Sequence, residues 1–375
     1  MSVTGTERVE KSEPGLREIT YTICPVPLGS HVAVEKGWLE EELAAVGAAP
    51  RYIRSRPEHD WPTHFTHQLP DFFRDGGNIP AIWARSRGEK TRVVGLTFSG
   101  TGGRIIVAAH ARFNRISDLR GKKIALPRRA DTDRIDFWRA TAERGILLAL
   151  ELNGLSGNDV EIVELISHGA GFLPPKPAQK PLDAFDAAQV NVVSGAEVEA
   201  LFTGEVDAIY ADFGRAKILE GEGKVKAIED LGHYPDWTLQ VANTPHTITV
   251  SADLAENNPE IVVAYLKAAI RGGRWINENH AEAGRLFANV TSYRCPIGAA
   301  RVLDGYNFVP NLTGRSIAGI EVEKRFLLDH GYIENDFDVH QWVDRSFLEQ
   351  ALALLDGQVG TGTSPCRAEP ACTAL

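Results

Sequence analysis

The chain has 375 residues, of which 43% are hydrophobic and 24% charged, and a net charge of −10. That length exceeds the roughly 250–300 residues at which a single core stops growing, so two packed units are expected. The acidic balance lacks the concentrated basic face that nucleic acid requires, and no apolar run approaches the roughly 20 residues of a bilayer span, so neither nucleic acid nor membrane is expected as a partner.

Met1 to Arg17 is rich in Ser, Thr, Glu and Lys, without an apolar h-region or a cleavage pattern, and reads as a flexible N-terminus of a cytoplasmic protein. Glu18 to Thr22 is a short strand, and His31 to Val46 reads as a helix. Arg51 to Arg54 is the next strand, and a helix runs from Ile79 to Arg87 after the turn Gly76-Gly77. Strands at Arg92 to Thr97 and Ile105 to Ala109 flank the bend Ser99-Gly100-Thr101-Gly102-Gly103. Glycines there serve a chain crossing better than a P-loop, because no Lys-Ser or Lys-Thr follows. A helical turn at Ile116 to Leu119 leads into a strand ending near Pro127.

Residues 133–153 carry apolar positions at helical spacing, Val160 to Leu165 alternates as a strand, and His168 to Pro181 reads as a loop. A helix closes at Thr203 before a strand from Val206 to Tyr210. After a strand from Thr247 to Val250 the chain is mostly helical, with Pro259 at the first turn of a long helix. From Gly357 onward a Gly/Thr/Pro/Ala-rich composition reads as a disordered tail, 357–375. The alternation of strands and helices predicts an α/β fold with mainly parallel sheets.

The four cysteines, Cys24, Cys295, Cys366 and Cys372, fit no zinc spacing and are expected as free thiols. Cys24 lies in Tyr21-Thr22-Ile23-Cys24-Pro25-Val26-Pro27. Forty residues later comes His64-Phe65-Thr66, and ten beyond His64 comes Arg74, followed by Gly76-Gly77. A thiol, an imidazole, a guanidinium and a glycine turn at a helix start together point to a nucleophile or acid, its hydrogen-bond partner, and an anion clamp. Taken singly, Cys24 reads as a small buried hydrophobe and Arg74 as a surface charge; it is their order and spacing that carry the signal. Phe65 and Trp138 are candidate aromatic walls, His67 is a candidate neighbour of the substrate, and Tyr210 sits at a strand end that can face a cleft.

Three segments resemble the two-lobed, type II periplasmic-binding-protein-like fold of the nitrate, sulfonate and thiamine-precursor binding proteins. They are Lys36-Gly37-Trp38-Leu39-Glu40, the unit from Asp118 to Ile124, and the stretch from Leu201 to Ala208. That resemblance implies a first lobe from 18–105 and 240–356, a second from 106–239, and a ligand cleft between them. The Cys24, His64, Arg74 and Gly76-Gly77 pattern resembles, more narrowly, the aromatic sulfinate desulfinases of the dibenzothiophene desulfurisation pathway.

This second resemblance implies Cys24 and His64 as catalytic residues. It also implies Arg74, the Gly77 N–H, Gly76, Phe65, His67 and Tyr210 on the substrate side. The expected reaction is hydrolysis of an aryl C–S bond to arene and sulfite, without a cofactor or metal. The expected partners are a small aromatic anion and, functionally, an upstream sulfone monooxygenase. Ile23, His67 and Leu69 depart from that family's pattern beside the thiol and after the His-Phe-Thr segment. Cys24 as proton donor and Cys24 as nucleophile both fit. The rival reading is a transporter-type solute-binding protein for a sulfonate or related anion; a thiamine-pyrimidine synthase is disfavoured because that family's Cys-rich motif is missing.

Overall fold

The computed structural model describes residues 16–99, 102–130, 133–167, 176–185, 195–288 and 296–359. Two five-stranded sheets organise it. The first has the order β2-β1-β3-β10-β4, with β1 Arg17–Ile23, β2 Ala48–Tyr52, β3 Phe72–Gly76, β4 Thr91–Thr97 and β10 His246–Ser251. The second has the order β7-β6-β8-β5-β9, with β5 Arg104–Ala108, β6 Lys123–Arg129, β7 Glu161–Ser167, β8 Ala208–Ala211 and β9 Val225–Asp230.

Both sheets are mixed, which corrects the expectation of mainly parallel sheets. β1 pairs with β2 and β3, and β6 with β7 and β8, in parallel. All pairings of β10 and β5 are antiparallel. These are the strands on which the chain enters the second sheet and returns to the first. Each arrives directly from the other sheet, without a crossover helix to reverse its direction.

Strand periodicity sets the packing. Ile105 and Val107 face one side of the second sheet with Ile124, Leu126 and Tyr210, against the helix Phe137–Leu152. Ile106, Ala125 and Ile209 face the other side, against the helices Ala196–Thr203 and Phe213–Gly221. The first sheet packs its core, including Ile19, Ile23, Phe73 and Ile248, against Pro259–Glu278 and its neighbours. Pro259 does open that helix, where its missing N–H costs nothing.

Several boundaries move for identifiable reasons. The segment expected as one helix from His31 to Val46 is two, Gly29–Glu35 and Trp38–Ala44, because Gly37 adopts φ 72 between them. Gly29 starts the first of these where a Cβ would lie 2.4 Å from the Ala269 carbonyl oxygen, so the two helices meet backbone to backbone. The C-terminal helix Ser346–Val359 runs past Gly357, where the tail was expected to begin; the remainder of that tail, residues 1–15, Cys295, Cys366 and Cys372 lie outside the described residues. Among the described residues no helix is long and apolar enough to cross a membrane.

Candidate active site

The parallel run β2-β1-β3 brings three strand ends together, and the polar residues collect at their carboxyl ends, as open α/β sheets arrange them. Cys24 follows the last residue of β1, its N–H donating to the Asp75 carbonyl at 2.8 Å, so the ladder to β3 continues up to the thiol. His31 fixes the same residue from the next helix, Nε2 donating to the Cys24 carbonyl at 2.8 Å.

The thiol then meets its expected partners. His64 Nε2 lies 3.5 Å from Cys24 Sγ, and Arg74 Nη2 donates to the same sulfur at 3.2 Å. Arg74 is fully buried, and among the described residues it has no carboxylate partner. Its charge is instead held by carbonyls, with Nε donating to His64 at 2.9 Å and Nη1 to Gly77 at 2.7 Å. Three of the five guanidinium N–H groups are thereby engaged.

The glycine turn has two separate functions. A Cβ on Gly76 would lie 2.1 Å from Cys24 Sγ, so the absence of a side chain there is what gives the thiol its seat. The Gly77 N–H lies near enough to the Cys24 sulfur to favour its charged form. A Cβ on Gly77 would meet the Asn243 side chain at 2.4 Å. Asn243 in turn accepts the Ile79 N–H at 2.9 Å, filling the first turn of the helix Asn78–Ser86.

Electrostatics decide the protonation states. Burial pushes the Cys24 thiol up, against the pull of Arg74 and the Gly77 N–H, while Asp75 pushes it further up. Burial, then Arg74 and Arg54, holds the His64 imidazole well below its usual range. At neutral pH the pair is therefore thiol and neutral imidazole. The Thr22 hydroxyl stands 2.8 Å from His64 Nδ1. With the S–H directed at Nε2, the Nδ1–H donates to Thr22, and one tautomer satisfies the chain of contacts.

Other expected residues fall differently. Phe65 stands beside the pair, its ring edge-on to His64 at 4.9 Å and stacked on Phe137 at 6.3 Å. His67 is corrected to a supporting position. It is buried, Nδ1 donates to the Phe65 carbonyl at 3.1 Å, and Nε2 faces the Thr249 hydroxyl at 3.2 Å, so neither nitrogen is open to a ligand. Burial lowers its pKa to about 3. Tyr210 is also corrected. Its hydroxyl donates to the Gly102 carbonyl, and its ring fills the space left by Gly103 and Gly145 inside the second sheet, beside Trp138. The described contacts do not bring it to the Cys24 cluster.

Sequence reasoning missed Thr22, Asp75, Asn243 and Arg54. Thr22 was accessible to it, since it lies two residues before Cys24 on a strand and period two puts both on one face. Asp75 is buried beneath the turn, accepts the Ser30 hydroxyl at 2.6 Å, and is pushed up to about 7 by burial.

No protein-family model and no curated protein matches this chain. Solved structures do. The desulfurization enzyme DSZB is similar at 26% identity and a TM-score of 0.70, over 90% of this chain and 99% of that one. A cysteine-to-serine mutant of DSZB in complex with biphenyl-2-sulfinic acid is similar at 24% identity and a TM-score of 0.69, with the same coverage. The periplasmic aliphatic sulphonate binding protein SsuA from Escherichia coli is similar at 15% identity and a TM-score of 0.60, over 96% of this chain and 98% of that one. With the mixed sheets and the carboxyl-end site already described, these likenesses show that the chain has the periplasmic-binding-protein-like fold that DSZB and SsuA share.

Proposed function

We propose that this chain is a hydrolase that cleaves the C–S bond of an aromatic sulfinate, with Cys24 as the proton donor. The observation that carries the reading is the placement of one sulfur between His64 Nε2 at 3.5 Å and Arg74 Nη2 at 3.2 Å. A sulfinate presents paired oxygens, which a guanidinium fork matches.

The reaction balances without an external redox partner. The sulfinate oxygens take the remaining Arg74 donors, which sets the ring carbon bearing sulfur against the Cys24 S–H. Proton transfer to that carbon breaks the C–S bond, and the bond's electrons form the C–H bond. The arene and sulfur dioxide separate, leaving a thiolate. Arg74 Nη2 already donates to that sulfur, and with the Gly77 N–H close by it stabilises the charge as it develops. Water adds to sulfur dioxide to give hydrogen sulfite, and the released proton returns through His64 to Cys24. Aryl sulfinate and water thus become arene and hydrogen sulfite. The raised thiol pKa favours this route over nucleophilic attack, because the group starts in the protonated form.

The likeness to SsuA supports a second reading, reversible binding of a sulfonate-like anion without chemistry. The thiol at the centre of the anion site favours the enzyme, since a binder needs only the cation. A cytoplasmic location, and supply of substrate by a sulfone monooxygenase, belong to the same proposal; cell fractionation tests the first.

Incubation with 2'-hydroxybiphenyl-2-sulfinate and other aryl sulfinates, read by sulfite release, separates the two readings. Cys24→Ser is expected to abolish turnover and retain binding. Reversible binding of these anions with no sulfite from any of them would leave only the binder.

A further inference from the structure

The reaction above asks His64 to keep one ring orientation 3.5 Å from the sulfur, yet the helix that carries it is a single turn, Thr63–Thr66. One turn does not sustain itself, so its position is set by what packs on it. The first sheet's half of the molecule fastens its backbone. Arg74 donates to the His64 carbonyl, and His67 Nδ1 to the Phe65 carbonyl. One of its rings is met from the other half. The Arg134 guanidinium lies over the Phe65 ring, 4.5 Å from its carbon to the centroid, and Phe137 stacks on the same ring. Phe65 in turn meets the His64 ring edge-on at 4.9 Å.

Arg134 and Phe137 flank Asp136, which ties them to the second sheet. Its carboxylate accepts the Arg139 N–H at 3.1 Å, capping the helix Phe137–Leu152, and the Arg129 N–H at 2.7 Å, at the end of β6. That helix buries Ala142, Ile146 and Leu150 in the second sheet's core, while Ile135 and Ala140 belong to the core of the first. The segment is thus a bridge anchored in both cores, and Arg134 is half-buried where it crosses to Phe65. A cation over a ring face is attracted by the ring quadrupole, so it resists the ring's turning away; an uncharged side chain of similar length fills the space without that attraction. Because the Phe65 and His64 rings touch edge to face, a tilt of the first is passed to the second.

We propose that Arg134 is a positioning residue for His64, acting through the Phe65 ring, so that the second sheet's half of the molecule completes a site whose reacting groups all lie on the first. This deepens the desulfinase reading and rests on it for the catalytic consequence only.

The test has one arm without substrate and one with it. Full-length protein carrying ring-15N histidine is compared as the unmodified chain, Arg134→Gln and Arg134→Lys, and the His64 signals among the 11 histidines are identified by their loss in His64→Gln. The unmodified chain and Arg134→Lys should show one His64 tautomer, with the proton on Nδ1, whereas Arg134→Gln should show averaged ring nitrogens. Identical His64 signals in all three overturn the proposal. With saturating aryl sulfinate, Arg134→Gln should lower kcat about fivefold, change KM by less than about twofold, and be rescued by Arg134→Lys. In a Phe65→Leu background the same substitution should have no further effect on kcat, because the ring through which it acts is gone. A raised KM at unchanged kcat would make Arg134 a substrate contact, and a lower Tm with unaltered His64 signals would make it a packing residue; either result overturns the proposal. Failure of every aryl sulfinate to release sulfite from the unmodified chain refutes the desulfinase reading and leaves the substrate-free arm to decide the contact.

Discussion

Gly76→Ala is the sharpest single perturbation of this site. The new Cβ would sit 2.1 Å from Cys24 Sγ and 2.6 Å from Cys24 Cβ, whereas ordinary contact begins near 3.4 Å. Rotation about the Cys24 side chain relieves only the first clash, since the Cys24 Cβ is fixed by its backbone. The ends of β1 and β3 must therefore part, by about 1 Å, and the Cys24 N–H to Asp75 bond of 2.8 Å lengthens with them. Overpacking of this kind costs about 1–3 kcal/mol of stability, which a protein of this size survives. The chemistry is less tolerant, because a misplacement of about 1 Å costs on the order of 100-fold in rate. Sulfite release under saturating aryl sulfinate, with circular dichroism and Tm as controls, should show a folded protein with kcat down by about two orders of magnitude. Undiminished kcat would mean that the sulfur need not stay between His64 and Arg74, and the mechanism would fall with that result.

Four further outcomes follow from the same geometry. Thr22→Val removes the partner of His64 Nδ1 without changing shape, so kcat should drop about tenfold or more with KM little changed; a pure KM effect would show that Thr22 contacts substrate instead. Between about pH 6 and about pH 8 the pH–rate profile should show no more than a shallow step from Asp75 titrating at about 7, since a thiol acid and a neutral His64 are both already in their working states; a tenfold rise per pH unit would identify a thiolate nucleophile. Asp75, pushed up to about 7, binds its proton more tightly in the folded chain than in the unfolded one, so its contribution is present at low pH and is lost as pH rises toward 7. Asp75→Asn should accordingly flatten the fall in Tm between about pH 4 and about pH 7, and parallel curves for the two proteins would refute it. Tyr210→Phe should leave KM unchanged and lower stability by about 1 kcal/mol, through loss of the bond to Gly102; a raised KM would return Tyr210 to the substrate side.

The parts of the site that were legible in the chain were those clustered in sequence or carried by strand periodicity. Cys24 ends β1, His64 and Arg74 straddle the start of β3, and Gly76-Gly77 turns directly into a helix, so their convergence needed only parallel pairing of neighbours. Asn243 was not legible, because what matters about it is a contact across the whole fold. Tyr210 was misread for a related reason. A strand end tells where a residue sits but not which neighbour makes room for its ring, and here Gly103 and Gly145 do. The sheet direction was misread because β5 and β10 look like any other strand locally; only the route between sheets reverses them.

Asn243 belongs to the segment by which the chain returns from β9 to β10, yet it is also the brace behind Gly77. Its N–H donates to Glu323 at 3.1 Å, its side chain holds the Ile79 N–H, and its carbonyl accepts from Asn78. A single residue thus bolts the connecting segment to the seat of the thiol. The segment between the sheets is thus tied down directly behind the thiol, and a change at Asn243 reaches Cys24 through the Gly77 turn without touching it.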